Sequence, residues 1–259
     1  MRHDIERLIV QFVAEYPEKV GTQTVWKKPL IAYAAAEDEL FSSLKKIVSP
    51  THALPGDFLP GAKTVIAYFL PFVDAIPESN VPGRECSRAW AVAYIETNKI
   101  IFDLNTYINK LLGDAGYRSV IIPATHNFDS DKLMSDWSHR HVAYIAGLGK
   151  FGLNNMLITD SGCCGRVGTI VTDLVIEPTE RKDREFCLFK LNRKCARCVP
   201  RCVNGALRVN HYDRHKCYEM CLHNADVYSG IGLADVCGKC LVNVPCATSN
   251  PAKTFSEEI

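Results

Sequence analysis

CLFKLNRKCARCVPRC, residues 187–202, holds four of the twelve cysteines of this 259-residue chain. Nine cysteines lie between Cys187 and Cys246, whereas Cys86, Cys163 and Cys164 stand apart. Thiols this dense are typical of disulfides, zinc sites or iron–sulfur sites. The distribution predicts a cysteine-poor body over residues 1–180 and a cysteine-rich module over residues 181–259.

The N-terminal residues and the charge balance favour a cytoplasmic protein. Asp4, Glu6 and Arg7 interrupt the place where the apolar region of a signal peptide would lie, and no apolar run is long enough to span a membrane. In a reducing cytoplasm structural disulfides are rare. With 30 basic against 29 acidic residues, the net charge of +1 gives no overall attraction for nucleic acid or an anionic membrane.

The spacing of the cysteines favours two iron–sulfur clusters. Cys195, Cys198 and Cys202 follow the C-x2-C-x3-C end of the bacterial two-cluster ferredoxin pattern, in which the last cysteine ligates the other cluster. Cys187 stands in for the first position, displaced by an insertion. We assign one [4Fe–4S] cluster to Cys187, Cys195, Cys198 and Cys246. We assign the second to Cys202, Cys217, Cys237 and Cys240, which leaves Cys221 spare.

Structural zinc is the alternative use of the same thiols. The C-x2-C pairs at Cys195/Cys198 and Cys237/Cys240 resemble zinc knuckles, but 38 residues separate them. Zinc ribbons usually have about 15–20 residues between their knuckles. Two departures also weaken the ferredoxin pattern, because Val203 replaces the usual proline after Cys202 and a proline precedes Cys246. Neither departure removes a ligand.

The body shows strands that alternate with helices, which predicts a layered α/β or α+β fold. The predicted helices cover the N-terminal residues, 34–48, a long segment that ends near Gly113, and 131–146. The predicted strands cover 63–72, 117–123, 156–159 and 167–176. Gly147, Gly149 and Gly152 form a G-x-G-x-x-G pattern, but no clear strand precedes it and no helix follows, which argues against a dinucleotide site.

The arrangement as a whole resembles the epoxyqueuosine reductases and their relatives, the cobalamin-dependent reductive dehalogenases. The resemblance lies in LPGAKTVIAYFLPF (59–72), AGLGKFGLNNMLIT (146–159) and CGKCLVNVPC (237–246). It implies an α+β fold in which a nitroreductase-like α/β body holds base-off cobalamin and a ferredoxin-like module holds two [4Fe–4S] clusters. It also implies an aspartate proton donor, for which Asp129 and Asp131 are the candidates, and cofactor contacts at Gly147, Gly149 and Gly152.

The resemblance is incomplete in two places. GRECSRAW (83–90) keeps only the arginine of the family's Arg-Asp-Tyr-His signature, and the family's C-terminal helical repeats do not follow the last cysteine. Together with the near-zero net charge, this argues against a tRNA substrate. The expected partners are a ferredoxin- or flavodoxin-type electron donor and either a small-molecule substrate or a corrinoid protein.

Three readings of function follow. The first is a reductase with two clusters and a cobamide, the second a non-catalytic electron carrier for a corrinoid or other redox partner, and the third a zinc-stabilised interaction module. His126, His139 and His141 flank the expected site, where a hydrogen-bonded structural role is commoner for histidine than proton transfer.

Overall fold

The computed structural model describes residues 1–123 and 128–253. The first half contains α1 (Arg2–Val20), β1 (Leu30–Ala35), α2 (Glu39–Ile47), α3 (Pro55–Phe58), β2 (Thr64–Pro71), α4 (Ala75–Ser79), α5 (Arg88–Asp114) and β3 (Ser119–Ile121). The second half contains β4 (Phe128–Asp129), β5 (Met134–Ser135), α6 (His139–Ile145), β6 (Gly149–Phe151), β7 (Leu157–Thr159), β8 (Gly165–Thr172), α7 (Leu188–Asn192), α8 (Cys198–Arg201), β9 (Leu207–Arg208), β10 (His211–Tyr212) and α9 (Arg214–Val227).

A four-stranded sheet in the order β1-β2-β8-β3 forms the centre of the body, and every neighbouring pair is antiparallel. Strand β2 is buried along its whole length because helices cover both faces. Its alternate residues Ile66 and Tyr68 pack with α1 and α5, whereas Val65 and Ala67 pack with α2 and α6. The body is therefore a three-layer α+β structure, as the sequence predicts, although its sheet is antiparallel.

Two predicted helices are wrong in part. The segment 34–48 divides into the end of β1 and the helix α2, because Asp38 caps α2 by accepting from the amide of Leu40 at 3.0 Å. The alanines of 32–36 pair with β2 instead of extending that helix.

The predicted helix over 131–146 covers only α6. Asp129 accepts from the amides of Asp131 and Lys132, both at 2.9 Å, and so holds the turn of the β4–β5 hairpin. Leu133 has a positive φ of 51°, which a helix does not contain. The helix therefore begins after Ser138.

The remaining elements agree with the sequence analysis. The N-terminal helix, the strand at 63–72 and the long helix are confirmed as α1, β2 and α5. The predicted strands at 117–123 and 156–159 contain β3 and β7, whereas the one at 167–176 overlaps β8 over 167–172. No helix in residues 1–123 or 128–253 is long and apolar enough to cross a membrane.

The cysteine-rich segment packs directly on the body. Phe186, Ala234 and Leu241 belong to the same apolar cluster as α1 and α5. Hydrogen bonds also join the two parts: the Asn80 side chain donates to the carbonyl of Cys237 at 3.0 Å, and the Tyr228 hydroxyl donates to that of Cys86 at 2.6 Å. The division at residue 180 stays a prediction.

Candidate active site

One set of four cysteines, which we call group A, comprises Cys187, Cys195, Cys198 and Cys246. Its members line one small pocket together with Leu153 and Asn154. Burial, and then the neighbouring thiolates of the other three cysteines, raise the pKa of Cys198 to about 12. The structure thus brings together the four residues that the spacing assigns to one cluster.

The other set, group B, comprises Cys202, Cys217, Cys237 and Cys240. All four line a cavity of about 290 Å³, the inner cavity, which lies between the cysteine-rich segment and the body. Burial, and then Cys217, Cys237 and Cys202, raise the pKa of Cys240 well above its usual value. Group B also gathers as the sequence predicts, but unlike group A it faces a large cavity.

Cys221 lies beside group B rather than apart from it. It is one turn after Cys217 on α9 and lines the same cavity. The Cys221 thiol donates to the Cys217 sulfur, which lowers the pKa of Cys217 and raises that of Cys221. Cys217 stays the ligand that the sequence analysis assigns, and Cys221 lies beside it as a thiol that donates to its sulfur.

All twelve cysteines are free thiols. Within the described part of the chain, no three histidine, cysteine, aspartate or glutamate side chains are placed to hold a single metal ion. Each group nevertheless offers four thiols, the donor set that a [4Fe–4S] cluster requires. The residues fit two such clusters, and their binding is a proposal.

A buried cation lies within group B. Lys239 stands between Cys237 and Cys240 and its side chain is fully buried. Its ammonium donates to the carbonyls of Asn80 at 2.9 Å and Pro82 at 2.7 Å. Burial lowers the pKa of Lys239, and the nearby Cys237 thiolate opposes that shift. A positive charge held here stabilises the negative charge of thiolate ligands.

The glycine-rich segment positions the loop between the two groups. Leu153 and Asn154 follow β6, and Asn154 lines the pockets of both groups. A Cβ on Gly149 would lie 2.1 Å from the carbonyl oxygen of Ile158, and one on Gly152 would lie 2.6 Å from Asn154 Oδ1. The glycines allow the tight β6–β7 hairpin.

None of the three glycines lines the inner cavity or the space that continues from it. Gly147 follows α6 with a φ of +87°, and it lies against the carbonyls of Thr179 and Glu180. A role of Gly147, Gly149 and Gly152 in cofactor binding stays a prediction, and the structure accounts for these residues by backbone packing.

The inner cavity continues into two others, and together they form the cleft. A middle cavity of about 330 Å³ shares Arg140, Met156, Gly165 and Arg166 with the inner one. An outer cavity of about 720 Å³ shares Phe128 and Trp137 with the middle one. Aromatic and aliphatic side chains form most of the inner wall: Phe72, Trp90, Tyr94, Leu207, Met220, Val236 and Leu241. Spaces of this size bind small molecules or cofactors.

Asp129 and Asp131 line the outer cavity, not the inner one. The two backbone amides that Asp129 holds, together with Lys132, keep the pKa of its carboxyl below the ordinary range. Asp129 is therefore ionised near neutral pH and serves the turn. A catalytic role for Asp129 or Asp131 stays a prediction.

The histidines near the cleft are held as neutral rings. His139 lines the middle cavity, where its ring bonds the Thr169 hydroxyl and the carbonyl of Pro123, both at 2.8 Å. Burial lowers the pKa values of His139 and His141 to about 4. His126 lies outside the described residues.

Comparisons with known proteins identify the fold. No family model and no curated protein matches this chain. A solved epoxyqueuosine reductase from Streptococcus thermophilus matches with a TM-score of 0.54 at 17% identity, over 93% of this chain and 68% of that one. A catabolic reductive dehalogenase in complex with 3-bromo-4-hydroxybenzoic acid matches with a TM-score of 0.56 at 16% identity, over 86% of this chain and 30% of that one. This chain has the epoxyqueuosine reductase fold.

The fold comparison corrects the expectation that tRNA is not a partner. An epoxyqueuosine reductase solved with a tRNA stem loop matches with a TM-score of 0.54 at 16% identity, over 94% of this chain and 64% of that one. A protein of the same fold thus engages tRNA, so the expectation of no tRNA partner is wrong. The near-zero net charge misled because it says nothing about how charge is distributed over the surface.

Proposed function

We propose that this chain is an iron–sulfur reductase in which groups A and B each hold one [4Fe–4S] cluster and the cleft binds the molecule to be reduced. The observation that carries the proposal is the placement of group B, whose four cysteines line the inner cavity. Group A lies in a separate pocket that shares only Asn154 with that cavity. Electrons therefore have a route from group A to group B and on to the cleft.

The epoxyqueuosine reductase fold supports the finer architecture of this proposal. The three-layer body corresponds to the nitroreductase-like part and the segment from residue 181 to the ferredoxin-like module. A cobamide bound in the cleft would supply low-potential reducing chemistry next to group B. Met156 and Gly165, at the junction of the inner and middle cavities, would contact such a flat cofactor.

A reducing cytoplasm suits twelve free thiols, and an electron donor of the ferredoxin or flavodoxin type suits the one-electron chemistry of the clusters. The substrate remains open to small molecules and to a modified nucleoside in RNA. The electron-carrier alternative needs no cleft, whereas this chain has an apolar one beside group B. The zinc alternative is tested by the metal content.

Cobalamin titration into the anaerobically reconstituted chain tests the proposal. We expect saturable binding with a change in the visible spectrum of cobalamin. Trp90→Ala, which removes an inner-cavity wall, should weaken binding, whereas Phe102→Ala on the exposed face of α5 should leave it unchanged. A chain that holds both clusters but binds no cobamide would favour the carrier over the enzyme.

A further inference from the structure

Two arginines meet where the inner and middle cavities join. Arg140 on α6 and Arg166 on β8 line both cavities. The guanidinium of Arg166 is stacked 4.2 Å above the centre of the Tyr94 ring. Arg140 donates to the carbonyl of Asn155 at 2.8 Å and to the Met156 sulfur at 3.2 Å. Both cations are thus fixed in position.

Neither arginine forms an ion pair with a carboxylate of the described residues. The Nε atom of Arg166 is buried without a hydrogen-bond partner. Burial lowers the pKa of Arg166, Tyr94 and the Asp235 carboxylate oppose that shift, and Arg140 is a smaller cause that lowers it further. Arginine nevertheless stays protonated in proteins, so the cavity junction holds two positive charges that repel each other.

We propose that Arg140 and Arg166 bind an anionic group, a carboxylate or a phosphate, of the ligand that occupies the cleft. A guanidinium offers parallel N–H donors that match the two oxygens of either group. An anion between the two cations would relieve their repulsion and engage the unused Nε of Arg166. The inference deepens the proposed function, because it names a chemical feature of the molecule in the cleft.

The anion has two sources, the phosphodiester of a complete cobamide or an acidic group of the substrate. Inorganic phosphate is the probe for the shared chemistry, and calorimetric titration requires neither a corrin nor turnover. We expect Arg166→Gln and Arg140→Gln each to weaken phosphate binding about tenfold or more. Arg166→Lys should weaken it less, and Arg7→Gln on the exposed surface of α1 should not change it.

Equal phosphate affinity in the wild type and both glutamine variants, or no phosphate uptake by the wild type, would overturn the assignment. Arg140 is exposed to the cleft, so its variant remains informative if Arg166→Gln does not fold. A comparison of cobalamin with cobinamide, which lacks the phosphodiester, separates the sources. If the arginine variants lose affinity for cobalamin but not for cobinamide, the pair binds the phosphodiester of the cofactor. If the variants bind both corrinoids as the wild type does, the pair binds the substrate. If neither corrinoid binds, the phosphate result still stands.

A second, independent observation concerns the surface beside group A. Between Phe186 and Tyr212 the sequence has six lysines and arginines and no acidic residue, leaving 24 basic against 29 acidic residues elsewhere. Five of these six cations are exposed and form no ion pair with the described residues; we call the four that lie among the cysteines of group A the basic rim: Lys190, Arg193, Lys194 and Arg197. In the sequence they lie among Cys187, Cys195 and Cys198 of group A.

We infer that the basic rim docks an acidic electron-carrier protein, which gives up one electron as the group-A cluster gains one. This inference rests on the proposed function. Complementary charge steers such encounters and makes their rate depend on salt. The rim borders the group that lies away from the cleft, where an electron donor does not compete with a substrate. A nucleic acid, by contrast, must present its reacting base to the cleft.

Stopped-flow reduction of the iron-loaded chain tests the rim, with a chemically reduced flavodoxin as the donor. The variant Lys190→Glu/Arg193→Glu/Lys194→Glu/Arg197→Glu should slow reduction about tenfold or more and remove its salt dependence. Reduction by dithionite, a small molecule, should not change. Lys45→Glu/Lys46→Glu on α2 is the matched control. An unchanged flavodoxin rate would overturn the inference, and a loss of tRNA binding alone would assign the rim to nucleic acid.

Discussion

Groups A and B offer the same four thiols in different surroundings. Group A lies in a small pocket close in sequence to exposed cations, and group B lines a larger cavity whose walls come from both the body and the cysteine-rich segment. Lys239, which stands between two members of group B, is fully buried, whereas Lys190 and Lys194, which are close in sequence to members of group A, are exposed. In the proposed function the two groups divide the work: group A would receive electrons and group B would pass them to the cleft.

The loop after β6 connects the two regions. Leu153 packs against Cys198 of group A and Cys240 of group B in one apolar cluster. The side-chain amide of Asn154 points to the carbonyl of Cys240 at 3.5 Å. The tight hairpin of the glycine-rich segment therefore positions this loop between the two groups. A change in the hairpin should lower the iron content of both groups.

The largest expected effect is the loss of one cluster at a time. Cys198→Ser in group A and Cys240→Ser in group B should each remove about four of about eight irons per chain. Cys86→Ala, at a buried cysteine outside both groups, should keep the full iron content. Iron analysis with electron paramagnetic resonance provides the measurement. Loss of all iron in both variants would contradict two separate groups.

The next comparison separates Cys217 from Cys221 within group B. We expect Cys217→Ser to lose about four irons and Cys221→Ser to keep about eight, because the spacing assigns Cys217 as the ligand and leaves Cys221 spare. Cys221→Ala should also keep about eight irons, because Cys217, the predicted ligand, is still present. The reverse order, with iron lost only from the Cys221 variants, would exchange the two roles.

The link between the groups depends on the hairpin. Gly149→Ala should cost about 3 kcal/mol of unfolding free energy, because the added Cβ meets the Ile158 carbonyl, and it should lower the iron content of both groups. Gly113→Ala, where nothing lies within 4 Å in α5, should instead stabilise the chain by about 0.5–1 kcal/mol. Urea unfolding measures both. Unchanged unfolding free energy and iron content in Gly149→Ala would show that the hairpin does not position the loop between the groups.

The smallest expected effect concerns the buried cation. Lys239→Gln should shift the reduction potential of the group-B cluster to more negative values, because a nearby positive charge favours the reduced cluster. The group-A potential should hardly move. Lys194→Gln, at an exposed site where solvent screens the charge, should shift neither potential appreciably. Redox titration followed by electron paramagnetic resonance distinguishes the two clusters, and equal shifts in both variants would contradict the comparison.

The cysteines that the sequence assigns to each group line one pocket together, and their assignment as cluster ligands stays a prediction. The sequence predicted α1, α5 and β2, whose apolar periodicity is long and regular. The helix over 131–146 was wrong over its first part, residues 131–138, because the Asp129 side chain competes for backbone amides and forms a turn. The strand β1 was missed because its alanines favour helix and only pairing with β2 makes them a strand.

The cleft itself could not be predicted from sequence. Tyr94, Arg140, Arg166 and Asp235 come from distant segments and meet only after the sheet and the cysteine-rich segment pack together. No periodicity or spacing connects them. The Tyr94 hydroxyl, for example, donates to Asp235 at 2.7 Å across the boundary between the body and that segment.

The most direct test of the central claim is the metal content of the anaerobically purified and reconstituted chain, with its spectrum after reduction. Two groups of four thiolates predict a brown protein with about eight irons and eight sulfides and with the signals of two interacting reduced clusters. A colourless protein that holds about two zinc ions and no acid-labile sulfide would contradict the account.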